Sequence, residues 1–300
     1  MNKLFLLLFI VLNQQVSFSQ EGFFVKDDSL NKTRLISVSA TVGSAWTGSM
    51  IGLNELWYKD VPKTKWHTFD DSRNWLQMDK AGHFYTAYKL NQLTTDLFHW
   101  TGLKRRTSLW VGTGVSLGYQ TTLEMLDAYS AEWGFSWSDA GANALGTGLF
   151  LGQDLLWEEE RIIPKFSYHP TDFAAIRPEV LGNGGMESVL KDYNGQTYWL
   201  SFTPATFIKD TKLPKWLCFS VGYSAHEKLV GSESSYTDLN SGRTYNERRE
   251  WLLSLDIDFS KLNIQRPWLR TIVKQLNYLK VPFPALILSD GKLTGHPFYF

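Results

Sequence analysis

Two textures divide the chain. Up to about residue 163 apolar residues recur at helical spacing, and after Pro164 they alternate. The first texture predicts four helices, at 34–57, from Asp79 to about Trp100, at 107–128 and at 138–158. A loop over 59–75 carries Pro62 and the Trp66/Trp75 pair. The third and fourth helices have uncharged stretches, Thr107 to Leu123 and Ala140 to Gln153. Small residues recur every four positions in both: Ser108, Gly112 and Ser116 in one, Ala140, Ala144, Gly148 and Gly152 in the other. That spacing lets helix backbones approach closely. Each stretch falls short of the ~20 apolar residues that cross a bilayer. The second helix also carries Lys89, Asp96 and His99. The pattern therefore favours a compact, partly membrane-embedded bundle over four full spans.

In WLLSLDIDF, Trp251, Leu253, Leu255, Ile257 and Phe259 share one face, and Leu252, Ser254, Asp256 and Asp258 the other. WLCFSVGYS (216–224) and TYWLSFTPATF (197–207) alternate likewise, so half-buried strands are predicted. A long polar hairpin, 231–250, joins two of them. Residues 266–280 form an amphipathic helix, with Leu269, Ile272, Val273, Leu276 and Leu279 on one side and Arg270, Lys274 and Lys280 on the other. Such a helix lies on a membrane surface or covers a sheet. About five strands are visible, and a closed membrane barrel normally has eight or more. The fold class is α+β: a signal peptide at 1–20, a glycine-rich bundle of about four helices at 21–163, and an antiparallel strand-rich region with one amphipathic helix at 164–300.

Lys+Arg and Asp+Glu are equal at 30 each, which gives no basic field for a nucleic acid. Aromatics reach 15%, with 13 Trp, and Trp and Tyr favour membrane–water boundaries. The N-terminus has Lys3, an apolar run from Leu4 to Leu12 and small residues at Ser17 and Ser19. It reads as a secretory signal cut after Ser19 or Gln20. The single cysteine, Cys218, rules out a disulfide within one chain and supplies no lipid-anchor cysteine at the cleavage point. The expected address is the periplasm or outer membrane of a Gram-negative bacterium, with membrane or lipid as partner.

A run of polar residues interrupts the apolar helices: Asp79-Lys80-x-x-His83, then Glu124, then Ser138-Asp139-x-x-x-Asn143-x-x-Gly146. Asp79 and His83 share a helix face, as do Asp139 and Asn143. Three helices can point them at one centre. His83, Glu124 and Asp79 are the candidate catalytic residues, and Lys80, Asp139 and Asn143 the candidate ligand-binding ones. The set suits a metal held by an imidazole and carboxylates, His–carboxylate acid–base chemistry, or a polar network that pins helix register. The pattern names no cofactor, metal or protein partner.

Plainer roles exist. Asp79 opens its helix as an N-cap. Ser136-x-x-Asp139 resembles a capping box. Lys80 serves as a surface lysine, and Glu158-Glu159-Glu160-Arg161 as a solvated helix end. Glu124 resists dismissal, because carboxylates are rare in apolar helices unless paired. A second candidate, His169-Pro-x-Asp172 with Arg177-Pro-Glu179, reads as a structured loop. No G-x-S-x-G, P-loop, H-E-x-x-H or C-x-x-C is present.

The ordered motif from Asp79 to Gly148 resembles the YfiM-like family of predicted periplasmic lipoproteins, whose function is unknown, over about residues 75–160. A looser likeness links it to VanZ-like membrane proteins. The resemblance implies a helical cell-envelope module and leaves its chemistry open. Two functions are expected to compete. One is an outer-membrane-associated envelope protein with a structural or ligand-binding role. The other is an enzyme acting on a lipid-linked envelope substrate through His83 and the carboxylates.

Overall fold

The computed structural model describes residues 22–208 and 210–300. The signal expected at 1–20 lies outside the described residues. Helix α1 is Lys32–Leu53, and the Asn31 side chain accepts from Arg34 N–H at 3.0 Å to cap it. It runs into a single wide turn, Asn54–Tyr58. Helices α2 (Met78–Trp100), α3 (Arg105–Ala128) and α4 (Trp137–Trp157) form the bundle, with α2 between the other two.

The small-residue spacing works on one helix and misleads on the other. Ser108, Gly112 and Ser116 of α3 are all buried, and a Cβ on Gly112 would sit 2.9 Å from Asn91 O of α2. On α4 the stripe Ala140, Ala144, Gly148, Gly152 is not the contact face. Ala144 and Gly148 are exposed, and the glycines at 148 and 152 face open space. The contact is made by Asn143, Gly146, Thr147 and Phe150, all buried. At Gly146 a Cβ would fall 2.1 Å from Phe84 O, so only glycine permits this approach.

Beyond α4 a six-stranded antiparallel sheet forms, in the order β1-β2-β3-β6-β7-β8. Its strands are β1 (Ile162–Tyr168), β2 (Gln196–Phe202), β3 (Leu217–His226), β6 (Arg248–Ile257), β7 (Phe283–Ser289) and β8 (Lys292–Tyr299). Strands β4 (Ser235–Thr237) and β5 (Thr244–Asn246) make a separate small hairpin inside the predicted polar loop. The sheet curls. Tyr299 at the end of β8 meets Thr197 of β2 at 3.0 Å, and Leu279 bridges to Phe166 on the free edge of β1.

The polarity of this sheet is inverted relative to a soluble core. Cross-strand rows Leu200↔Val221↔Leu253↔Leu286 and Phe202↔Phe219↔Leu255 carry the apolar side chains. From β3 to β7 these are exposed, with Leu253 at 56%. The opposite face is enclosed and holds Lys165, Ser201, Ser220, Ser224 and Asp256 around Trp199, Leu252 and Tyr299. The expectation of half-buried strands assigned the right two faces, but the polar one is the inside. Helix α2 covers only the β1–β2 side of the apolar face, where Tyr85 packs on Phe166 and Tyr198.

The bundle repeats the inversion. Asn91, Gln92, Thr95, Thr113, Gln120 and Gln153 are buried, while Ile36, Ile51, Trp110, Leu117, Leu145 and Leu156 are exposed. The amphipathic segment forms α5 (Pro267–Gln275). Its apolar Ile272 and Leu276 point outward, and Lys274 turns inward to Asp96 at 2.6 Å. It therefore does not cover the sheet with its apolar side. Among the described residues no helix is long and apolar enough to cross a membrane.

Candidate functional site

The site begins with an unusual entry to α2. Trp75, Leu76 and Gln77 all have left-handed backbone, φ 50°, 51° and 63°. Such conformations cost non-glycine residues about 1–2 kcal/mol each, so tertiary contacts must hold them. Trp75 N–H donates to Gly231 O at 2.8 Å, Leu76 is buried, and Tyr223 Oη donates to Leu76 O. The N-cap position falls on Gln77, whose side chain makes no capping bond. Asp79 sits in the first turn instead, so its expected N-cap role is not the observed one.

The turn delivers Asp79, Lys80 and His83 to the faces of α3 and α4. Lys80 Nζ lies 3.0 Å from Asp79 Oδ2, 3.0 Å from Asp139 Oδ1 and 2.6 Å from Asp71 Oδ2. Its side chain is 11% exposed, so the surface-lysine role is replaced by that of a buried cation ringed by three acids. His83 Nδ1 is 3.1 Å from Asn143 Oδ1, which makes Nδ1 the donor, and 3.6 Å from Glu124 Oε1. His83 Nε2 faces Asp79 Oδ1 at 3.6 Å, beyond hydrogen-bond length. All six candidates thus meet around one centre.

The capping box forms with a different acid. Ser136 Oγ accepts from Asp139 N–H at 3.1 Å, as expected for an N-cap. Ser136 N–H in turn donates to Glu124 Oε2 at 3.3 Å. Glu124 closes the cap across helices, and this frees the Asp139 carboxylate for Lys80. The Glu124 Oε1, Asn143 Nδ2 and Gln120 Oε1 atoms are buried without a hydrogen-bond partner among the described residues.

Burial and crowding set the electrostatics. Burial pushes Glu124 up to about 8, with Asp139 and Asp127 adding to the shift and His83 opposing it. Burial likewise pushes Asp139 up to about 7, aided by Asp79 and restrained by His83 and Lys80. For His83 burial works downward, but the charges of Asp79, Asp139 and Glu124 outweigh it and raise the ring above its ordinary value. Burial also works against Lys80, and Asp79, Asp139 and Asp71 overcome it to hold the ammonium charged. Asp71 is depressed despite burial, because Lys80 and Ser136 bond to its carboxylate. The centre has more acids than bases.

Three partners were not foreseen. Asp71, in the loop before α2, accepts from Ser136 Oγ at 2.6 Å and Ser138 Oγ at 2.9 Å. The paired acids Asp70-Asp71 just ahead of the motif were the available signal. Asp127, raised to about 6 by burial, accepts from Tyr58 Oη at 2.7 Å. Tyr193 Oη donates to Asp79 Oδ1 at 3.3 Å from far along the chain, and no local pattern points to it. At the expected solvated end, 158–161, Glu158 is exposed and Glu160 departs from the expectation. Glu160 accepts from Tyr88 Oη and Gln92 Nε2 at 2.7 Å each and joins the bundle interior. The His169–Glu179 candidate stays apart from the site: Arg177 pairs with Glu179 at 2.9 Å, and His169 meets Tyr299 edge-on.

The stretch that supplies this centre, from the loop before α2 through most of α4, is the stretch with a recognisable relationship. Residues 66–151 match the family model DUF2279, described as a predicted periplasmic lipoprotein. Its function is unknown. The match agrees with the resemblance read from the ordered motif, supports an exported, periplasmic envelope protein, and lends nothing to the VanZ-like likeness. No curated protein and no solved structure matches the chain.

Proposed function

We propose that this is an outer-membrane-associated envelope protein that seats its apolar faces against lipid and binds a polar ligand at the centre between α2, α3 and α4. One observation carries the reading: a charged and hydroxyl-rich interior beneath an exposed apolar sheet face, with Lys165 and Asp256 at 0% side-chain exposure and Leu253 at 56% exposure. A soluble chain gains by burying apolar area at roughly 25 cal/mol per Å², and exposed apolar patches of this extent mark an interaction surface. The exposed apolar residues lie on the sheet, on α1, α3 and α4 and on α5. A surrounding lipid phase meets such dispersed faces more readily than one protein partner would. The polar-in, apolar-out alternation is that of strands facing hydrocarbon.

Membrane fractionation tests this. The protein should stay in the outer-membrane fraction through carbonate and high-salt washes and leave only with detergent. A fully soluble periplasmic pool overturns it. Residual exposure of Asp79 and His83, 26% and 18% of their side chains, supports the ligand site, because a purely structural network has no need of access.

A further inference from the structure

We propose that Asp79, His83 and Asp139 hold a divalent transition-metal ion, which names the ligand class for the site proposed above and rests on that reading of the cluster. One donor atom from each residue lies within 4.8 Å of the others. Zinc bonds to nitrogen and oxygen are about 2.0–2.2 Å long, which sets neighbouring ligand atoms roughly 3–3.5 Å apart. His83 Nε2 and Asp79 Oδ1, at 3.6 Å, are already near that spacing. Asp139, whose oxygens lie 3.0 and 3.2 Å from Lys80 Nζ, would exchange one of these contacts for the ion.

The surroundings of His83 supply the independent observation. A metal-bound imidazole donates its other ring N–H to an oxygen, which fixes tautomer and orientation. His83 does this through Nδ1 to Asn143 Oδ1 at 3.1 Å. Glu124, 2% exposed, aims its partnerless Oε1 at the same nitrogen from 3.6 Å. Nε2 faces Asp79 Oδ1 at 3.6 Å and makes no hydrogen bond among the described residues.

Charge and donor type narrow the ion. Lys80 occupies Asp79 Oδ2, while Oδ1 accepts from Tyr193 Oη at 3.3 Å and turns its other side to the histidine. With His83 neutral and Asp139 ionised, as metal ligation requires, the carboxylates of Asp71, Asp79 and Asp139 against the one Lys80 ammonium leave two negative charges at the centre. A divalent cation balances them. The imidazole nitrogen favours zinc or a neighbouring first-row metal over magnesium or calcium, which prefer all-oxygen sites.

The test uses the full chain purified in detergent, stripped of metal and titrated with zinc, with native mass spectrometry as readout. One zinc per chain is expected, and His83→Gln and Asp79→Asn should each weaken binding at least tenfold. Because either variant can also disturb folding, zinc-edge X-ray absorption on the wild-type protein gives a second readout. It should report one imidazole with oxygen ligands. Failure to retain zinc, a site with several imidazoles, or unchanged affinity in His83→Gln overturns the proposal. None of these results bears on the carbonate-wash experiment, so a metal-free protein that stays in the membrane fraction sinks the metal assignment alone.

Discussion

The sheet and the bundle each bury a lysine among carboxylates, and the two arrangements differ in completeness. In the sheet, Lys165 meets Asp256 at 3.0 Å with both side chains at 0% exposure. Lys165 also donates to Ile257 O at 2.6 Å, and Asp256 accepts from Ser201 Oγ at 2.7 Å and Val281 N–H at 3.3 Å. One cation faces one anion, and both are surrounded by hydrogen-bond partners. In the bundle, Lys80 faces three acids, and Asp79 and His83 are partly exposed. A closed, balanced pair specifies structure. An open, unbalanced one has capacity left for a ligand.

Breaking the closed pair should give the largest effect. Lys165→Met leaves Asp256 buried without its cation, which costs about 3–5 kcal/mol. Denaturant unfolding of the detergent-solubilised protein checks this. The double variant Lys165→Met with Asp256→Leu should recover most of the loss, because a buried pair can be exchanged for packed apolar groups at little net cost. A single-variant loss below about 1 kcal/mol, the range of an exposed pair, would erase the contrast with the bundle.

Helix contact sharpens the same contrast from the bundle side. Gly146→Ala drives a methyl to 2.1 Å from Phe84 O, in the turn after His83. Overpacking of this kind costs about 1–3 kcal/mol, and it should weaken ligand binding along with stability. Gly148→Ala, two residues on, meets nothing within 4 Å and replaces glycine in a helix interior. It should be neutral or stabilise by up to about 1 kcal/mol. Equal melting shifts for the two variants would contradict the close approach.

Much of the site was legible because its residues sit on helices at fixed spacing. Asp79/His83 and Asp139/Asn143 are each one turn apart, and Glu124 was conspicuous as a carboxylate in an apolar helix. What remained hidden came from elsewhere in the chain: Asp71 from a loop, Tyr193 from beyond the bundle, and the left-handed run at Trp75–Gln77 that aims α2. The sheet teaches a different limit. Alternation at 251–258 separates two faces, but period two carries no information about which face meets the interior. That depends on the surrounding solvent. The residues at 140, 144, 148 and 152 show the same ambiguity on a helix, where small side chains fit a close contact and an outer face equally well.

Lys80→Met removes the lysine that pairs with Asp71, Asp79 and Asp139. The loss should be smaller than for Lys165→Met, about 1–3 kcal/mol, because partial access to water and protonation of Asp139, already raised to about 7, relieve the acids. The cost should grow above neutral pH, and thermal melts across pH check it. A cost as large as that of Lys165→Met would place both pairs in the same class.

Lys89 lies between the two regions and, among the described residues, has no carboxylate in direct contact. Its Nζ donates to Gln92 Oε1 at 3.3 Å and to Asn277 O at 3.2 Å, the latter on the segment leading into β7. Burial lowers its pKa to about 7, with Glu160 opposing the shift. The unfolded chain holds this proton up to the ordinary lysine range near 10.4. Between the two values the unfolded state therefore binds more protons, and stability rises with pH. Lys89 favours the fold most fully above the unfolded value, and this contribution is lost as pH falls toward the folded one. Lys89→Met should flatten the rise in melting temperature between about pH 7 and 10 and stabilise the protein at pH 6. An unchanged pH profile would mean that Lys89 keeps its charge through contacts with the aromatic faces of Tyr88 and Tyr278, at 5.2 and 4.8 Å. The junction between bundle and sheet would then resemble the balanced interior of the sheet more than the open centre of the bundle.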